Sequence, residues 1–140
     1  MNGRYLLDTN IIIALFAQEE VIQQHLDQAE QVFLSSIVLG ELYYGAEKST
    51  RIDENIQRID EFAFSTALIG CNQETARQYG RIKSILRAKG RPIPENDIWI
   101  AAQALQHQLT LVARDDHFQE VDTIFLDRAL QMSAVHALAA

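Results

Sequence analysis

Four carboxylates interrupt apolar runs in this chain, each where a strand would hand over to a helix. Asp8 follows Tyr5-Leu6-Leu7 and precedes Thr9-Asn10-Ile11-Ile12-Ile13. Glu41 lies within Ser36-Ile37-Val38-Leu39-Gly40-Glu41-Leu42-Tyr43-Tyr44-Gly45. Asp97 opens Ile98-Trp99-Ile100-Ala101-Ala102, and Asp115 follows the apolar run Leu109 to Ala113. A carboxylate set against apolar surroundings is costly unless a positive group pairs with it. Few basic residues stand near these points, so a divalent cation is the natural counter-charge. Oxygen ligands suit Mg2+ or Mn2+, and such ions on an acidic platform point to phosphate chemistry.

Taken singly, each acid has a plainer reading. Asp97 can be a first-turn residue favoured by the helix dipole, worth about 0.3–1 kcal/mol. Asp115 and its neighbour Asp116 can be turn residues after a strand. On a helix, Glu41 falls with Ile37 and Gly45, away from the stripe of Leu39, Leu42, Tyr43 and Ala46, which suits a solvent-facing Glu. Asp8 resists such a reading, because it breaks an apolar stretch from Tyr5 to Phe16 accompanied only by Thr9 and Asn10. The four together are stronger than any one of them.

These residues need elements to hold them. Arg4 to Asp8 predicts a strand, followed by a helix over about Thr9–Ala17 and a polar helix over Gln18–Glu30. Val32 to Leu34 predicts a second strand, with Ser35 or Ser36 capping the helix that carries Glu41. Further helices are expected over Ile52–Phe62, Gln73–Lys89 and Asp97–Gln108. The strands between and after them are Ala67–Ile69, Leu109–Ala113 and a weaker one at Asp122–Leu126. On the Gln73–Lys89 helix, Tyr79, Ile82, Ile85 and Leu86 fall on one side. Pro92 to Asn96 predicts a loop. Strands alternating with helices imply a three-layer α/β/α domain around a central, mostly parallel sheet. Its working groups belong at the carboxyl ends of the strands.

The chain has 140 residues, 48% of them hydrophobic and 22% charged. That predicts one globular domain over residues 1–140, with the Ala-rich tail from about 129 forming a short helix or fraying. No apolar run reaches the roughly 20 residues of a membrane span. The start, Met1-Asn2-Gly3-Arg4, has no signal-peptide pattern, and the lone Cys71 reads as a buried or half-buried thiol. Both suggest a reducing cytoplasm. The net charge of −7 disfavours bulk electrostatic binding of nucleic acid, yet six of the twelve basic residues fall between 77 and 91. Arg77, Arg81, Lys83 and Arg87 could grip RNA phosphates from one side of their helix, or simply form a solvated face.

Read in order, Leu6-Leu7-Asp8-Thr9-Asn10 resembles the opening motif of the PIN-domain nucleases. Ile37-Val38-Leu39-Gly40-Glu41-Leu42-Tyr43-Tyr44-Gly45 resembles their second motif and Asn96-Asp97-Ile98-Trp99-Ile100-Ala101-Ala102 their third. Leu111-Val112-Ala113-Arg114-Asp115-Asp116-His117-Phe118 resembles the fourth. Length and the Glu-Leu-x-x-Gly wording are similar to the VapC-type toxins of toxin–antitoxin pairs. The resemblance implies a PIN-like fold and an endoribonuclease that cuts structured RNA, such as tRNA or rRNA loops. It implies one or two Mg2+ (or Mn2+) ions on Asp8, Glu41, Asp97 and Asp115, with Thr9 and Asn10 supporting Asp8 or a water. It also implies a homodimer and a cognate antitoxin whose C-terminal segment blocks the site. Hydrolysis of this kind leaves 5′-phosphate and 3′-hydroxyl ends. Two positions depart from the pattern. Ala113 stands where the family often has Thr, and Asp116 is an alternative ligand to Asp115.

Other chemistries fit less well. His25, His107, His117 and His136 lack zinc-ligand spacing, and His117 reads as a turn residue beside the acids. No phosphate-binding glycine loop occurs. Trp99 and Tyr43 could stack on a base, although Trp99 more readily packs beneath a neighbouring helix. A haloacid-dehalogenase-like phosphatase would use Asp8 as nucleophile, but Asn10 stands where its second Asp is needed. A metal-binding, PIN-like interaction module without activity is the remaining alternative.

Overall fold

The computed structural model describes residues 3–114 and 116–121 and the backbone of 125–127. Asp115 and the tail from residue 128 lie outside the described residues. The elements run β1 (Arg4–Leu7), α1 (Thr9–Phe16), α2 (Glu20–Asp27), β2 (Gln31–Ser35), α3 (Ser36–Glu47), α4 (Ile52–Phe64) and β3 (Ala67–Ile69). They continue with α5 (Gln73–Ala88), α6 (Glu95–Gln106), β4 (Thr110–Val112), a 3-10 turn (Asp116–Glu120) and β5 (Phe125–Asp127). The strands form one sheet in the order β3-β2-β1-β4-β5, and every pairing is parallel. Helices cover it to give the three-layer α/β/α arrangement.

β1 is the centre of the sheet, with Leu6 beside Phe33 of β2 and Leu7 beside Val112 of β4. Leu6, Leu7, Leu111 and Val112 are fully buried, as strands covered on both faces require. From β1 the chain moves outward one way to β2 and β3, then crosses back to β4 and β5. Strand order therefore reverses beside β1, and the crevice outside its carboxyl end is where such sheets place their sites. Asp8 is the first residue after β1.

α6 is the most enclosed helix. Ile98, Ile100, Ala101, Ala102, Gln103 and Ala104 are all buried, and its many alanines let neighbouring elements approach closely. α5 packs along it, with Trp99 stacked on Tyr79 at 4.0 Å between ring centres. Trp99 therefore packs against a neighbouring helix, as its sequence context suggests. α5 opens with a capping box between Asn72 and Thr75 and stops at Gly90, whose φ of +68° suits glycine.

Several elements differ from the sequence expectation. The polar helix starts at Glu20 rather than Gln18, because Gln18 takes a left-handed φ of 60° that separates α2 from α1. α6 begins at Glu95, with Pro94 at its N-cap, so the expected loop is two residues shorter. Ile85 is 46% exposed and lies outside the buried face of α5 made by Thr75, Ile82 and Leu86. Cys71 is exposed rather than buried.

Candidate active site

Each acid is delivered by a different part of the fold. Asp8 caps α1 with its backbone: its carbonyl accepts from the amides of Ile11 and Ile12, and its own amide donates to Val112 O at 3.0 Å. Its side chain makes no capping bond, yet the residue is only 5% exposed. The helix thus uses the backbone of Asp8, and the side chain takes no part in capping it. Glu41 comes from the second turn of α3, which starts where Ser35 accepts a hydrogen bond from the Ile37 amide at 3.1 Å. Asp97 comes from the first turn of α6.

Glu41 is no ordinary solvent-facing side chain. It is half-buried, and its Oε1 is enclosed without a hydrogen-bond partner. Burial raises its carboxyl above the usual 4.5, the neighbouring Thr9 hydroxyl draws it back, and the charge of Asp97 raises it further. Thr9 Oγ1 is itself buried and closes no hydrogen bond of ordinary geometry. Asp97, Glu41 and the Thr9–Asp8 corner therefore share one acidic crevice. Asn10 is exposed, which leaves Thr9 as the better-placed supporting group.

A consequence follows for stability. A carboxyl whose folded value lies above its unfolded one binds extra protons in the folded state, so its effect on stability worsens as pH rises through that interval. Glu41→Gln removes this penalty. In metal-free buffer the variant should melt above the parent at neutral pH, and the gap should close on acidification below the ordinary carboxylate range. Parallel melting curves from about pH 3 to 8 check this, and a gap independent of pH would refute it.

The basic residues nearby have other occupations. Arg114, the cation of the fourth motif, is gripped by Glu19 through two hydrogen bonds of 3.1 and 3.0 Å. Lys83 meets Glu95 at 2.7 Å and Tyr79 OH at 3.1 Å, and Arg77 meets Glu74 at 3.2 Å. Arg81 and Arg87 stay on the exposed side of α5. The four cations proposed for RNA are therefore not equivalent.

His117 is the residue the sequence undervalues. It lies in the 3-10 turn, whose Phe118 is fully buried, and its Nδ1 is 2.8 Å from Asp97 Oδ2. The buried Phe118 anchors the turn so that His117 faces the acids. Asp116 is exposed, and its Oδ1 accepts from Gln119 Nε2 at 2.7 Å. Among the described residues no group of three His, Cys, Asp or Glu side chains is close enough to hold an ion by itself. The candidate set includes Asp115, outside those residues.

A groove of about 380 Å³ leads away from Glu41 between α1, α3 and α4. Ile13, Phe16, Leu42 and Ile59 give it apolar walls. Phe16 meets Phe62 edge-to-face at 5.5 Å, and the Arg58 guanidinium lies 5.8 Å from the Phe16 ring centre. An apolar channel ending at an acid suits a ligand segment that is apolar along its length and basic at its tip.

A PIN domain signature matches residues 5–124. The chain belongs to the PIN-domain family. It is 38% identical to Ribonuclease VapC2 of Haemophilus influenzae over 80% of this chain and 86% of that protein. It is 30% identical to the tRNA(fMet)-specific endonuclease VapC of Shigella flexneri, again over 80% and 86%. Among solved structures, VapBC2 from Rickettsia felis bound to a DNA fragment from its promoter superposes with a TM-score of 0.82. That match has 29% identity and covers 89% of this chain and 97% of that one. This PIN-domain chain is thus a nuclease of the VapC type, as the four motifs imply. No described helix is long and apolar enough to cross a membrane.

Proposed function

We propose that this VapC-type nuclease is a divalent-metal-dependent endoribonuclease toxin, acting on structured RNA in the cytoplasm and restrained by a cognate antitoxin. The observation that carries the proposal is the enclosed Oε1 of Glu41, without a hydrogen-bond partner, on a carboxyl already raised by burial and further by the charge of Asp97. Like charges in a crevice raise one another's energy, and an ion of opposite charge relieves them. Asp8, Glu41 and Asp97, with Asp115 of the fourth motif, would hold Mg2+ or Mn2+ through oxygen alone, which fits those hard cations.

When bound, such an ion lowers the pKa of water and offsets the charge that develops on the cleaved phosphodiester. The chain's own part would be to present Asp8, Glu41 and Asp97 from three different elements, α1's start, α3 and α6. Thr9 lies beside Glu41, and His117 holds one oxygen of Asp97. The chain needs no side-chain nucleophile for hydrolysis. Incubation with a panel of structured RNAs, with and without Mg2+, should give metal-dependent cuts with 5′-phosphate and 3′-hydroxyl ends. Cyclic phosphate ends, or cutting undiminished by chelator, would overturn the proposal. A tRNA is a natural first substrate, given the name of the Shigella relative.

The groove beside Glu41 is the proposed seat of the antitoxin segment, with a basic side chain reaching the acids. A homodimer belongs to the same reading. Phe64 and Leu68, 94% and 53% exposed just before and on the outer strand β3, offer apolar surface for it.

For RNA, Arg81 and Arg87 are the proposed phosphate contacts, because both are exposed while Arg77 and Lys83 form ion pairs with Glu74 and Glu95; Arg87 meets Glu95 only through its charge. Replacing Arg81 and Arg87 with Ala in an Asp8→Asn background should weaken binding to all RNAs alike. The salt dependence should flatten by about 0.7 per lost contact for single strands. The cleavage position in the active enzyme should not move, since phosphate contacts orient the strand without reading its bases. An unchanged slope would remove α5 from the RNA path.

A further inference from the structure

Two fully buried polar side chains lie outside the acidic crevice and bridge the elements that form it. Ser35 ends β2 and caps α3, and Gln103 lies in the middle of α6; both are 0% exposed. The Ser35 hydroxyl donates to Gln103 Oε1 and accepts from the Ile37 amide. The Gln103 amide nitrogen donates to Gly70 O at 3.1 Å and, less favourably, to Ile69 O at 3.4 Å, with Cys71 Sγ at 3.6 Å. One glutamine therefore joins the carboxyl ends of β2 and β3 to α6.

Its place along the helices is what matters for chemistry. Glu41 lies six residues beyond Ser35, and Asp97 six residues before Gln103. At 1.5 Å per residue each carboxylate is about 9 Å of helix rise from the bond. The two paths run in opposite chain directions, so α3 and α6 pass each other antiparallel, pinned at Ser35–Gln103. Glu41 and Asp97 meet further along the same contact. A surface pair could fray or slide, whereas both members of this one are fully buried.

We infer that Ser35 and Gln103 are positioning residues that set the spacing of Glu41 and Asp97, and hence the fit of the divalent cation. The inference rests on the proposal that these two acids hold that ion. Buried polar groups are ordinarily satisfied, and any core helix could meet that need locally with an apolar residue at position 103. Here the glutamine instead reaches two strand ends at once.

The test replaces Gln103 with Met, which keeps length and volume but loses the hydrogen bonds, and separately Ser35 with Ala or Thr. Mn2+ affinity is measured by calorimetric titration, and cleavage is resolved into kcat and KM. Gln103→Met and Ser35→Ala should weaken Mn2+ binding by about 10- to 100-fold, the range seen for groups that orient metal ligands. The loss should appear in kcat at fixed metal, with KM for RNA little changed. Ser35→Thr, which retains the hydroxyl, should restore most of the affinity. Leu86→Ala, a cavity on the buried face of α5, serves as the control for stability alone and should leave Mn2+ affinity near the parent value. If Gln103→Met binds Mn2+ within twofold of the parent, or if Leu86→Ala loses as much, the positioning role is wrong. Should Gln103→Met fail to fold, Ser35→Ala against Ser35→Thr decides on its own. If the parent itself binds no Mn2+, the metal proposal fails first and takes the tie with it. An intact parent with an insensitive Gln103→Met sinks the tie alone.

Discussion

Asp97→Asn should abolish RNA cleavage, a loss beyond about 100-fold, while the chain folds normally. The magnitude follows from the upper end of the range for groups that merely orient metal ligands, which a ligand itself should exceed. Asparagine keeps the shape and can still accept from His117, which lies 2.8 Å from Asp97 Oδ2 in the parent. What it removes is a charge that adds to the effect of burial in raising Glu41. Metal-free Asp97→Asn should therefore be as stable as the parent or more so. With Mn2+ at one hundred times its dissociation constant, the parent should gain about 2.7 kcal/mol by mass action, and the variant little. Asp8→Asn and Glu41→Gln should follow the same pattern. Single-turnover cleavage with melting curves in both conditions checks all three, and wild-type cutting by Asp97→Asn would remove it from the site.

The candidate site was readable chiefly because Asp8 violates a local rule. Asp8 breaks an apolar stretch, and the fold accepts this by using its backbone for α1 and for Val112, with no capping bond from its side chain. Asp97 likewise follows from its position just inside a helix start. Glu41 was only half legible: its displacement from the apolar stripe suggested solvent, and only the approach of α1 and α6 makes it half-buried. The alternation of strands and helices was enough for the three layers, since parallel strands leave few ways to cover both faces.

What escaped the sequence depends on partners far along the chain. Gln103 reads locally as a polar residue in an amphipathic helix, yet it is buried because Ser35 and Gly70 meet it across 68 and 33 positions. His117 reads as a turn histidine until Phe118 is seen to anchor the turn in the core. The basic face of α5 looked uniform, but Glu95 from the next helix pairs with Lys83 and also lies within reach of the charge of Arg87, so the four cations differ in their surroundings. Periodicity reports which face a residue takes, not which charge arrives from another element.

Gly45→Leu should make the protein more stable and, at the same time, deaf to its antitoxin. Gly45 lies one turn beyond Glu41 and lines the groove between α1, α3 and α4. A Cβ placed there meets nothing within 4 Å, so no steric demand of the fold keeps it glycine. Glycine inside a helix costs roughly 0.8–1.0 kcal/mol relative to alanine, and leucine recovers most of that. A gain of this size corresponds to about 4 °C in Tm. The same side chain projects into the apolar channel and excludes a segment that would lie there. Blocking a central contact of an interface costs about 2–4 kcal/mol, or roughly 30- to 1000-fold in Kd. RNA cleavage should persist, because the carboxylates and the tie behind them are untouched. Gly45→Ala separates the two effects: it should give the stability gain with little loss of binding. Melting curves, antitoxin titration and cleavage assays with added antitoxin read all three quantities. If Gly45→Leu binds antitoxin as the parent does, the segment docks elsewhere. If cleavage disappears along with binding, the groove is part of the RNA path instead.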